Sequence, residues 1–144
     1  MNILRLFQLN FLPRSVDAAL LVLRLWLGLS LFLLHGWSKL TGFSQMSHKF
    51  RDPLGIGSPT SLALALFAEV VCSLLLALGL FTRIAAAVLV IEMTTVFLLV
   101  QKLALSGPGS GELAFVYLAG WVTLLVAGAG RFSLDAKLGE RASS

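Results

Sequence analysis

Four long apolar runs alternate with short polar or glycine-rich breaks along the chain. They are AALLVLRLWLGLSLFLLHGW at 18–37, SLALALFAEVVCSLLLALGLF at 61–81, IAAAVLVIEMTTVFLLVQ at 84–101 and LAFVYLAGWVTLLVAGAG at 113–130. Each is close to the roughly 20 residues a helix needs to cross the hydrocarbon core. Transmembrane strands would be about half as long and would alternate in polarity. A lone strand would also leave its backbone unsatisfied in lipid, so the pattern predicts helices. The expected fold is all-α, an integral membrane four-helix bundle. No repeat or linker divides the chain, which reads as one domain over 1–144.

The breaks carry turn and capping chemistry. Pro13 is followed by Ser15 and Asp17, either of which suits the cap of the first helix. Pro53, Gly55, Gly57 and Pro59 interrupt the chain before the second run, with Thr60 or Ser61 as its cap. LGLFTR at 78–83 reads as a tight turn in which Gly79 ends a helix, and SGPGSGE at 106–112 as a hairpin loop. Residues 1–16 combine a spaced apolar pattern with Arg5, and no small-residue cleavage site ends the run that follows. They read as an interfacial segment retained on the membrane surface.

Composition sharpens this picture. With 58% hydrophobic and 12% charged residues and a mean hydropathy of +0.92, 144 residues carry more apolar surface than one soluble core hides. The formal charge of +4 comes from basic residues flanking the runs, which points to lipid headgroups and away from nucleic acid. An even number of spans puts both termini on one side. That side holds Arg5, Arg14, Arg83, Arg131, Lys137 and Arg141; the other holds Lys39, Lys49, Arg51 and Lys102. The excess predicts cytoplasmic termini. Cys72, the single cysteine, reads as a packing residue. There is no HExxH, no Cys/His metal spacing, no phosphate loop and no pair of intramembrane histidines for a haem.

The ionisable residues inside the spans are the chemical candidates, because a charge at membrane depth faces a partner, a bundle interior or a water pocket. Arg24, Glu69 and Glu92 fall at similar expected depths. On a regular helix Arg24, Gly28 and His35 share one face, Glu69 sits with Cys72 and Ser73, and Glu92 with Val88 and Thr95. Gly120, Thr123 and Ala127 form a small-residue stripe on the fourth span. Turning these faces inward puts one arginine beside two glutamates. Such a group is either an internal salt-bridge network that fixes register or a polar pocket for a quinone head group, a proton or a small polar molecule. Lys39 reads as a marker of the outer exit, and Trp37 and Tyr117 as members of interfacial aromatic belts.

Three blocks give the chain a family likeness: RLWLGLSLFLLHGWSKLTGF, the segment Glu69 to Ala86, and GAGRFSLDAKL at 128–138. The chain resembles the DoxX family of small membrane proteins over about residues 16–139. The motif residues that resemblance carries are Arg24, Gly28, His35, Gly36, Lys39, Glu69, Gly79, Arg83, Arg131, Ser133 and Asp135. Ser133 or Asp135 is expected to cap a short helix beyond the fourth span. The resemblance implies a bundle in the bacterial inner membrane, associated with quinone-linked oxidoreductase or oxidative-stress assemblies. The leading expectation is a subunit with a polar intramembrane site at Arg24, His35, Glu69 and Glu92, binding quinone but ligating no metal. Membrane or redox proteins are its expected partners, with homo-oligomerisation open. The alternatives are a proton-coupled transporter of a polar solute and a structural anchor or assembly factor.

Overall fold

Ser15 starts the first helix. Its backbone is extended, and its Oγ accepts the Ala18 N–H at 3.2 Å, so α1 begins at Val16. The computed structural model describes Phe7 and residues 14–142, so most of the expected interfacial segment lies outside the described residues. Helix α1 covers Val16–Thr41 and is followed by a one-turn α2, Phe43–Met46. Helices α3, Ser58–Leu78, and α4, Thr82–Val100, form a hairpin. Helix α5 is Glu112–Ala127, and α6, Leu134–Ala142, is amphipathic. Among the described residues there is no strand. The fold is an all-α membrane bundle: α1, α3 and α4 are long and apolar enough to cross a bilayer, and α5 is a shorter apolar helix. Helix α5 stops three residues before its apolar run does, because Gly128 at φ 81° turns the chain away.

The ends of α3 show two different solutions. Neither Thr60 nor Ser61 caps it; the helix begins earlier, at Ser58, with Pro59 in its first turn. Asp52 organises the approach. Its carboxylate accepts the N–H groups of Ile56 and Gly57 at 3.0 and 2.7 Å and the Ser61 hydroxyl at 2.8 Å. At the other end Gly79 adopts the left-handed conformation, φ 70°, and the Leu80 N–H reaches back to the Leu75 carbonyl at 2.9 Å.

All three long helices contain a π-helical turn, at Phe32–Gly36, Phe67–Cys72 and Val96–Val100. In these turns N–H groups reach five residues back, as Gln101 does to Val96 at 2.9 Å. Each turn inserts one residue and rotates everything beyond it, a feature frequent at functional sites.

Glycines set the closest helix approach. A Cβ on Gly28 would stand 2.7 Å from the Ser73 carbonyl oxygen, and one on Gly36 2.8 Å from that of Glu69. Helices α1 and α3 therefore cross backbone to backbone, as small residues permit in membranes. The other side of the core is filled by Leu76, Leu89, Trp121 and Leu124, all fully buried. The expected α5 stripe is mostly wrong. Gly120 does receive the Leu27 side chain, but Thr123 and Ala127 are exposed. The inward face is Ala114, Tyr117, Trp121 and Leu124, because the space between α5 and its neighbours needs volume rather than close approach. Trp37 is exposed, whereas Tyr117 is not a belt residue. It is buried, stacked on Trp121 at 5.7 Å, and shares a 2.8 Å hydrogen bond with Ser30.

Candidate functional site

The expected meeting of Arg24 with two glutamates does not occur. Arg24 is completely buried, but its guanidinium donates to the carbonyls of Leu76 at 3.3 Å and Phe132 at 2.6 Å. Leu76 lies seven residues beyond Glu69 on α3, about 10 Å along the axis. Arg24 thus serves the end of the bundle where α3 stops and α6 begins. The apolar runs mark hydrophobic length, but not how far one helix slides past its neighbour.

Arg24 is the centre of a clasp built from the motif residues at that end. Gly79 lies against its guanidinium so closely that any side chain there would collide with it and with Ser133. The Asp135 N–H donates to the Gly79 carbonyl at 2.8 Å, and the Asp135 carboxylate accepts the N–H groups of Phe81 and Thr82 at 2.7 and 2.9 Å. Asp135 therefore caps α4, more than fifty residues upstream, while Ser133 caps α6 by accepting the Ala136 N–H at 3.2 Å. Arg83 donates to the Val126 carbonyl at 3.2 Å. The Arg131 side chain is exposed, and its N–H donates to the Asp17 carboxylate at 2.8 Å. Asp17 is thus spent on this clasp and leaves the α1 cap to Ser15.

The glutamates occupy a different place. A cavity of about 590 Å³ opens between α3 and α4 under the segment 45–54. Glu69, Glu92 and Lys39 line it together with Val88, Ile91 and Thr95. Lys39 does not simply mark an exit: its amine is ion-paired with Glu69, whose side chain is only 6% exposed. The π turn at Phe67–Cys72 contains Glu69, and the one at Phe32–Gly36 ends three residues before Lys39. Both Glu92 carboxyl oxygens and Glu69 Oε2 are shielded from solvent, with no hydrogen-bond partner among the described residues. Carboxyl oxygens buried without a partner are costly.

His35 does not join this cavity. It sits half-buried on the α5 side, edge-on to Tyr117 with ring centres 6.3 Å apart. Gly28 and Gly36 serve the α1–α3 crossing. Thr95 and Val88 share the cavity with Glu92, as their helical phase predicts. The covering residues Met46 and Phe50 had no distinguishing sequence signal, since they lie in a polar connection. Lys39 could have been matched to Glu69 only with the crossing point of α1 and α3 in hand.

Fold and site together define a small helical membrane protein with a mostly apolar cavity that encloses one ion pair and one unpartnered carboxyl. The chain belongs to the DoxX family: the family model, described as DoxX, matches residues 19–102, which reach from α1 to the end of α4. It is also similar to the uncharacterized membrane protein Rv3486 of Mycobacterium tuberculosis. The two are 32% identical over 149 residues, covering 92% of this chain and 91% of that one. No solved structure matches the chain.

Proposed function

We propose that this protein is a quinone-binding membrane subunit that handles protons for a redox or oxidative-stress assembly, and that a partner enzyme supplies the electrons. The observation that carries the reading is Glu92, a carboxyl with both oxygens buried and unpartnered, facing a cavity with mostly apolar walls. A quinone head offers carbonyl oxygens, which a protonated Glu92 or the Lys39 amine satisfies by donation. Apolar walls suit the ring and its tail. The Lys39–Glu69 pair holds a cation and a second carboxylate within the same cavity, so a proton delivered to the head has a neighbouring group to replace it from.

The proposed setting is the bacterial inner membrane with both termini cytoplasmic, on the excess of Lys and Arg at that end. The cavity then lies in the outer half of the bundle. The test is quinone content per folded protein, measured by mass spectrometry after extraction with native lipid. Glu92→Gln, which cannot ionise, and Glu69→Gln, which breaks the ion pair, are expected to lower it. Arg24→Met is expected to lower thermal stability while leaving the quinone content of the folded fraction unchanged, because Arg24 is outside the cavity. Absence of quinone from the parent protein, or equal content in all three variants, refutes the reading.

A further inference from the structure

Helices α3 and α4 are joined by the turn at 79–81, and α4 packs against the Phe67–Leu78 half of α3. The first half of α3, Ser58–Leu66, makes far less contact with it. The two helices therefore part as they leave the turn, and the cavity occupies the gap. Four of its lining residues are both apolar and exposed: Leu54 at 55%, Leu64 at 53%, Phe67 at 49% and Ile91 at 67%. Leu54 lies in the connection over the cavity, whereas the other three sit on helices long and apolar enough to cross the membrane, where the surrounding medium is lipid. The connection on the other side contributes Met46, Phe50 and Pro53 together with the exposed Gln45, Lys49 and Arg51, and the Lys39 amine lies 5.8 Å from the centre of the Phe50 ring.

We infer that the cavity is loaded sideways from the bilayer, through a portal framed by Leu64 and Phe67 of α3 and Ile91 of α4. Its ligand is a membrane-dissolved molecule with one polar head and an apolar tail. The head reaches Glu92 and the Lys39–Glu69 pair, while the tail stays between the helices in contact with lipid. Between the helices the exposed opening is apolar and Glu92 and the Lys39–Glu69 pair lie behind it, which suits a tailed molecule better than a freely water-soluble one. The inference rests on the same cavity as the quinone reading but concerns the route and the ligand class, and it holds for any tailed molecule of that kind.

The route is measurable without quinone. In a Cys72→Ala background, a thiol is introduced into the cavity by Glu92→Cys, or by Thr95→Cys should the first variant fail to fold. Protein in lipid nanodiscs is then treated with an alkyl-chain maleimide that partitions into lipid, or with a charged, membrane-impermeant methanethiosulfonate. Rates are normalised to each reagent's rate on the unfolded protein. The maleimide is expected to react at least tenfold faster than the charged reagent. Adding Leu64→Trp with Ile91→Trp is expected to slow it at least tenfold, while Leu98→Trp, exposed on α4 and outside the cavity, leaves it unchanged. Equal or faster reaction with the charged reagent overturns the inference, as does a rate indifferent to the paired tryptophans. A lateral portal in a protein that carries no quinone would mean that another tailed ligand is the occupant. Bound quinone with no lateral portal would leave the proposed function standing and the route wrong.

Discussion

Replacing Asp135 tests whether a residue beyond the last span really holds the start of α4. The Asp135 carboxylate accepts two backbone N–H groups, at 2.7 Å from Phe81 and 2.9 Å from Thr82. Bonds to a charged acceptor contribute about 1.5–3 kcal/mol each when buried. Phe81 is 58% exposed, so water recovers much of the first bond, but Thr82 is 1% exposed and water does not replace the second. The expected cost of Asp135→Ala is therefore about 2 kcal/mol, the upper end of the range for a lost helix cap. For a chain of this size that lowers the thermal midpoint by about 4–8 °C. Asp135→Asn keeps one acceptor and is expected to lose about half as much. Unfolding in lipid nanodiscs, followed by tryptophan fluorescence, reads the shift, with the exposed Lys137→Ala as control. A midpoint for Asp135→Ala that matches the parent would refute the capping role.

Two further predictions probe the helix crossing and the loop over the cavity. Gly36→Val forces a side chain to within 2.8 Å of the Glu69 carbonyl and is expected to cost about 1–3 kcal/mol in overpacking, read as a lower thermal midpoint. Gly139→Ala has open space and sits in a helix, so it is expected to raise the midpoint instead; equal effects of the two would sink the crossing argument. Hydrogen bonds from Ser61 first, then from the Gly57 and Ile56 N–H groups, hold the Asp52 carboxyl below its ordinary value. Its contribution to loop order is then fully present above about pH 3.9, the unfolded value, and is lost as the pH falls through the lower folded value. Hydrogen-exchange protection at 52–61, taken relative to the intrinsic rate at each pH, should hold down to about pH 4 and fall only below it; loss of protection near neutrality would contradict the assignment.

The helices were legible because lipid imposes a simple rule: twenty apolar residues with satisfied backbones. Their rotation was not. Counted from Arg24 at 100° per residue, His35 lies about 20° away and Gly36 about 120° away. The inserted residue of the π turn at 32–36 reverses this, moving His35 to about 80° and Gly36 to about 20°. Hence Gly36, not His35, continues the face that packs on α3. No residue in FLLHG announces that turn, which is settled by packing against Glu69 and Val70. Glu92 with Val88 and Thr95 was readable because the stretch between them is regular α-helix. The clasp was hidden for another reason: Asp135 and Thr82 are distant in sequence, and only the short α5 brings them together.

That shortness has a consequence for the membrane itself. Sixteen residues give α5 a length of about 24 Å, against about 39 Å for the 26 residues of α1 and about 30 Å of hydrocarbon in an ordinary bilayer. A flat slab of uniform thickness matches neither helix. The bilayer accommodates the first by pinching inward and the second by letting it tilt, each at a fraction of a kcal/mol per ångström. The clasp sits at the foot of the short helix, so the lipid around the bundle is expected to be lopsided, thinner beside α5 than beside α1. Acyl-chain length thereby becomes a force on the bundle: thicker membranes pull against the Arg24 end, and thinner ones relieve it.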